Sequence, residues 1–164
     1  MNDPISAQGA TSSDPTAIPV EAVLAIDPGS HKCGLAVVRR DGRVLHRGVV
    51  ATETLVSEVE TALTQWQPIA LVVGAGTGSK PLLQRLEAAA FGLPILQMDE
   101  SHTSEAARAR FVAENPPHGW QRLLPRSLRT PDRPYDDYVA VILAERYWQT
   151  QKSSTEKAKD RSTD

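Results

Sequence analysis

Residues Ala22–Val50 read AVLAIDPGSHKCGLAVVRRDGRVLHRGVV, and the punctuation of this stretch decides the fold. Ala22–Asp27 is a short apolar run closed by Pro28-Gly29, a dipeptide that turns the chain. Gly34–Arg40 is a second run and Val44–Val50 a third. Between them stands Asp41-Gly42, the pair that a tight hairpin turn demands. The three runs therefore predict an antiparallel β-meander.

Beyond Val50 the period changes. Leu55, Val59, Ala62, Leu63 and Trp66 recur at three- and four-residue spacing, which predicts a helix ended by Pro68. Ile69–Gly74 (IALVVG) is continuous and β-branched, as suits a strand buried on both faces. A Gly-rich loop leads to a helix with Leu82, Leu83, Leu86, Ala89 and Ala90 on one side. Pro94–Met98 reads as a fifth strand, Ser104–Glu114 as a helix, and Tyr135–Gln149 as the last helix. The order βββ-α-β-α-β-α-α, with right-handed crossovers, predicts an α/β domain. Its mixed five-stranded sheet has three antiparallel and then parallel strands, with helices on both faces.

Residues 1–20 and 151–164 are polar, without an apolar face, and bury too little to offset their ordering entropy. Both are expected to be disordered tails around one domain at 21–150 of the 164-residue chain. The 18 Lys plus Arg against 20 Asp plus Glu, a net charge of −2, exclude a strongly basic nucleic-acid binder. They leave room for a local basic patch, which is what nucleic acid requires. The single cysteine, Cys33, excludes a disulfide scaffold and a cysteine-rich zinc module, and suits a reducing compartment. No run approaches the roughly 18 apolar residues of a membrane span. The first 20 residues lack the Lys or Arg that starts a signal peptide. A soluble, cytoplasmic protein without a membrane partner is expected.

The element order also fixes where acidic residues fall. Asp27 ends the first strand, Asp99-Glu100 follow the fifth, and Asp136-Asp137 open the final helix. In open α/β sheets, sites gather at the carboxyl ends of the strands. Carboxylate oxygens bind Mg²⁺ or Mn²⁺ and leave positions for water and a substrate phosphate. Two ions roughly 4 Å apart would activate a water and stabilise the leaving oxygen of a phosphodiester. In that arrangement Asp27 bridges the ions, Glu100 holds one from the adjoining strand, and Asp136 or Asp137 completes the set. Each motif alone has a plain reading, Asp-Pro-Gly as a turn and the others as acids near helix N-termini. Their joint placement carries the inference.

Substrate contacts are expected at Lys32, in the short connection His31–Gly34, and at Ser79 and Lys80. The loop Gly74–Lys80 is not a Walker loop, because its order is Gly-Ser-Lys-Pro. Free amides at the start of its helix still suit a phosphate, as an alternative to a plain strand-to-helix turn. Arg122, Arg126, Arg129 and Arg133 space positive charge along RLLPRSLRTPDR, in position to hold a nucleic-acid backbone or simply to be solvated. Trp120 beside them would stack on a base or anchor the loop. His31 and His102 would orient water or sit on the surface.

On LAIDPGSHKCGLAVV, IALVVG, MDESHTSEAARARF and DDYVAVILAERYW the chain resembles the YqgF family, also called RuvX, the Holliday-junction-resolvase-like nucleases. RLLPRSLRTPDRPYDD resembles its cyanobacterial-type branch. The resemblance spans Leu24 to Trp148 and implies an RNase H-like fold and a divalent-metal hydrolase, with Asp27, Glu100 and an aspartate of the last helix as its acidic site. Counted back from Glu145, Asp136 matches the family's final aspartate, with Asp137 in reserve. The family's link to 5′ maturation of the small-subunit (16S) ribosomal RNA precursor implies structured RNA as substrate. Ser101 stands where the family usually has Arg, and Gly74-Ala-Gly-Thr where it often has Gly-Leu-Pro-Leu. A second reading keeps the site and gives it four-way DNA junctions, whose paired cuts need a two-fold homodimer rather than a monomer. A third is a non-catalytic RNA-binding ribosome assembly factor.

Overall fold

The structure is a computed structural model that describes residues 21–76, 78–99, 101, 103–115 and 136–160, with side chains as far as 155. Three strands, β1 (Ala22–Asp27), β2 (Lys32–Arg39) and β3 (Val44–Ala51), form the meander. They are followed by α1 (Leu55–Trp66), β4 (Leu71–Gly74), α2 (Ser79–Ala88), β5 (Ile95–Met98), α3 (Thr103–Glu114) and α4 (Asp136–Asp160). The sheet order is β3-β2-β1-β4-β5. β1–β2 and β2–β3 pair antiparallel, while β1–β4 and β4–β5 pair parallel. The α/β class and the mixed sheet stand as the sequence pattern predicts.

Local chemistry sets the corners. Gly42 has a φ of +89° at the β2–β3 turn. There the Asp41 carboxylate accepts the Arg43 N–H at 3.1 Å. α1 stops where Gln67 turns left-handed, at φ 47°, and returns its N–H to the Leu63 carbonyl at 3.1 Å. Pro68 follows and has no N–H with which to continue the helix.

Because strand side chains alternate, each central strand feeds two cores. Val23, Ala25, Ala36, Val38, Ala70 and Val72 pack with α3 and with the Tyr138–Trp148 face of α4. Leu24, Ile26, Leu35, Val37, Leu71 and Val73 pack with α1 and α2. Full burial of each large apolar side chain contributes about 1.5–3 kcal/mol. The Trp148 indole N–H donates to the Val38 carbonyl at 3.2 Å, tying α4 to the far end of β2.

Two expectations need correction. β5 does not adjoin β1, because β4 lies between them. β4 is buried throughout and takes the inner place, whereas β5, with Leu96 and Gln97 exposed, takes the edge. The turn that carries Glu100 therefore springs from a strand two places away from Asp27. The second correction concerns the tail expected from residue 151, since α4 runs on to Asp160. A packed nucleus makes further turns inexpensive, and no Gly or Pro interrupts residues 136–160. Gln149–Thr155 are exposed, so helix elongation there rests on the backbone and not on an apolar face. Residues 1–20 lie outside the described residues. Among the described residues, no helix is long and apolar enough to cross a membrane.

Candidate active site

Asp27 pairs directly with Gly34 of β2. It lies two residues beyond Ala25, which packs in the α3–α4 core, so alternation puts Asp27 on that same face. Gly34 faces it too, and a Cβ there would fall on the Asp136 carbonyl. Only glycine lets the first turn of α4 rest on the β2 backbone beside Asp27.

The Asp27-Pro28-Gly29 turn is braced from several sides. A Cβ on Gly29 would collide with the Lys32 carbonyl, so the loop folds back tightly and returns Lys32 to the sheet. The Thr52 hydroxyl donates to the Gly29 carbonyl at 3.0 Å, and the Thr52 N–H to the His31 carbonyl at 3.0 Å. Arg85 of α2 donates to the Thr52 and Glu53 carbonyls at 2.8 and 3.3 Å. A Cβ on Gly78 would lie 3.8 Å from the Pro28 carbonyl, which brings the Gly-rich loop beside the same turn. Ser79 is buried there and Lys80 exposed. Cys33 is buried, the plain role its type suggests.

The two aspartates of α4 part company. Burial above all, and then the Asp137 charge, push the Asp136 carboxyl above the ordinary carboxylate range, with Lys32 opposing them. Asp137 turns toward β3, where its carboxylate meets Arg47 Nε at 3.7 Å. Arg47 is itself held over the Tyr138 ring, 4.0 Å from its centroid, and donates to the Tyr138 hydroxyl at 2.9 Å. It also pairs with Glu114 at 3.4 Å. Successive helix residues point about 100° apart, so one helix start serves two environments.

The donor chemistry fits a hard divalent cation: two carboxylates at one sheet edge, one of them penalised for its charge by burial. Among the described residues, no group of three or more His, Cys, Asp or Glu side chains is close enough to hold a metal ion. Glu100, expected as the third, lies outside the described residues. So do His102, Trp120, Arg122, Arg126, Arg129 and Arg133.

Asp99 and Ser101 are tied both to each other and to α4. The Asp99 carboxylate accepts the Ser101 N–H at 3.0 Å and the Ser101 hydroxyl at 2.7 Å. Arg146 of α4 donates to the carbonyls of Asp99 and Ser101 at 3.0 and 2.7 Å. Sequence reasoning missed Arg146, Arg47, Arg85 and Thr52. Each acts on a partner distant in sequence, and no local pattern signals such a pair.

No protein-family model matches the chain, and no curated protein matches it. Among solved structures, the fold is similar to Thermus thermophilus RuvC in complex with Holliday junction substrate. The TM-score is 0.51 at 24% identity, covering 76% of this chain and 90% of that one. Another Thermus thermophilus RuvC structure matches at a TM-score of 0.48 and 21% identity, covering 75% and 90%. A ROK family glucokinase from Streptomyces griseus matches at 0.38 and 22%, covering 58% and 38%. With the sheet order and helix placement above, the chain has an RNase H-like α/β fold.

Proposed function

We propose that this protein is a divalent-metal-dependent nuclease that hydrolyses phosphodiester bonds of structured RNA, in 5′ maturation of the 16S ribosomal RNA precursor. The observation that carries the reading is the seat of α4 on Gly34, which brings Asp136 to the strand end where Asp27 stands. Asp27, Asp136 and Glu100 are the proposed ligands of Mg²⁺ or Mn²⁺. Two bound ions would supply the charge that activates a water and stabilises a leaving oxygen. Asp27 and Asp136 fix hard oxygen donors at the edge, and Lys32 beside them pairs with a substrate phosphate. Arg47 occupies Asp137, which favours Asp136 as the ligand from α4. Ser79, Lys80 and the four arginines of 122–133 are the further proposed contacts to the RNA backbone. The RNA substrate itself rests on the sequence resemblance.

A second reading is supported by the fold of RuvC bound to a Holliday junction. Here the same carboxylates cut four-way DNA junctions as a homodimer. The deciding experiment is cleavage of end-labelled structured RNA and four-way junctions with Mn²⁺, Mg²⁺ or EDTA, for wild type, Asp27→Asn and Glu100→Gln. Metal-dependent RNA cutting, lost in both folded variants, is the expected result. Symmetric paired cuts confined to the junction would replace it with the second reading. Binding of RNA without cutting in any metal would leave an assembly factor.

A further inference from the structure

A groove of about 510 Å³ opens beside the candidate site, between β3 and the first turn of α4. Its walls follow from register. Lys32 pairs with Ala51, Gly34 with Val49 and Ala36 with Arg47. Directly opposed residues share a face, and Gly34 and Ala36 face α4. Lys32, Ala51, Val49 and Arg47 therefore form one strip of the α4 face. α4 begins over Gly34, so the end of this strip stays open, and Lys32, Ala51 and neighbouring His31 are exposed.

The chemistry of the strip changes along its length. At the mouth, Lys32 offers positive charge within electrostatic reach of Asp136, and the His31 ring adds hydrogen-bonding nitrogens beside it. The floor is Val49 and Ala51, apolar and shallow. The far wall is Arg47 with Asp137. Arg47 has five N–H donors, and its contacts to Asp137, Glu114 and the Tyr138 hydroxyl engage three nitrogens. A guanidinium donor beside a carboxylate acceptor matches the mixed edge of a nucleobase. A base whose Watson–Crick edge is engaged by Arg47 and Asp137 in this way is not paired to its complement at the same time.

We propose that this groove binds one unpaired nucleotide flanking the scissile phosphate. Its phosphate lies at Lys32 and His31, its base over Val49 and Ala51, and its base edge at Arg47 and Asp137. The site thus selects single-stranded RNA next to the cut. The proposal rests on the nuclease reading for what is cut, but binding tests it without cleavage.

The test is fluorescence anisotropy of the full chain in EDTA with a short fluorescein-labelled single-stranded RNA and with its blunt duplex, over a salt series. The single strand is expected to bind at least about fivefold more tightly than the duplex. Lys32→Ala should weaken single-strand binding by about fivefold and flatten its log–log salt slope by about 0.7. Ala51→Trp fills the groove from an exposed position and should abolish the preference for single strand. Melting curves show that each variant is folded, and Lys32→Ala carries the test if Ala51→Trp is not. Equal binding of duplex and single strand by wild type would overturn the proposal, as would folded variants that bind like wild type. The two readings fail separately. Strand-selective binding lost in both variants, without cleavage in any metal, sinks only the nuclease. Metal-dependent cleavage with unaltered binding by Ala51→Trp sinks only the groove.

Discussion

At Gly34 a single hydrogen in place of a methyl decides whether the first turn of α4 can rest on the strand that pairs with Asp27. A Cβ there would occupy the Asp136 carbonyl, so Gly34→Ala must push back either β2 or the start of α4. The expected cost is about 1–3 kcal/mol of stability, measured by thermal melting. Mn²⁺-dependent cleavage should fall further than that loss explains, since Asp136 leaves its place beside Asp27. Asp136→Asn should act in the opposite sense on stability. A carboxyl raised in the folded state takes stability away as pH rises from its ordinary value through its folded one. In EDTA at neutral pH the variant should therefore melt slightly higher than wild type, with the gain vanishing in acid. Activity should be lost at the same time, as befits a group whose charge the fold keeps at a cost.

Among the elements, α4 has two duties. Its first turn delivers Asp136, and Arg146 reaches from its body to the carbonyls on either side of Glu100 in sequence. Hydrogen bonds from a charged donor are the stronger kind, and this pair joins the β5–α3 turn to the helix that carries the other acid. Loss of supporting hydrogen bonds around a metal ligand typically costs ten- to a hundredfold in metal affinity. Arg146→Ala should raise half-saturating Mn²⁺ by about tenfold while saturating metal restores most of the cleavage rate. An unchanged Mn²⁺ dependence in the folded variant would reduce Arg146 to a surface tie. β3 also does more than close the meander. Its Arg47 engages Asp137, so an edge strand far from either aspartate in sequence gives the two different surroundings.

Across the whole molecule, one sheet serves two cores, and neither core stands without it. Leu24 is fully buried on the α1–α2 side, while its neighbours Val23 and Ala25 are buried on the α3–α4 side. Leu24→Ala should cost about 2–5 kcal/mol. Because both layers share β1, near- and far-ultraviolet circular dichroism should report one lowered transition in place of two. The turn that frames the site belongs to this scale as well, since Arg85 of α2 and Thr52 before α1 hold the Asp27 turn from the opposite face. Damage to either core is therefore expected to reach the carboxylates.

By itself the sequence determined the elements and their class. The alternation of Ala22–Val50, the Asp41-Gly42 turn and the helical period after Leu55 are local signals. Hydrophobic periodicity and turn chemistry act within a few residues, so they are legible in one dimension. Asp27 at a strand end and Asp136 at a helix start were legible for the same reason. The order of strands was legible only in part: the apolar run Ile69–Gly74 suited a strand enclosed on both faces, but which strands flank it is set by pairing across the whole sheet. The extension of α4 was not legible, because its last turns have no pattern and grow from a packed nucleus. Only the tertiary structure decided that Asp137 faces Arg47 and that Gly34 seats Asp136. It alone joined Arg146 to the turn around position 100. Those are contacts between residues tens of positions apart, fixed by how whole layers pack, and no local property of either partner encodes them.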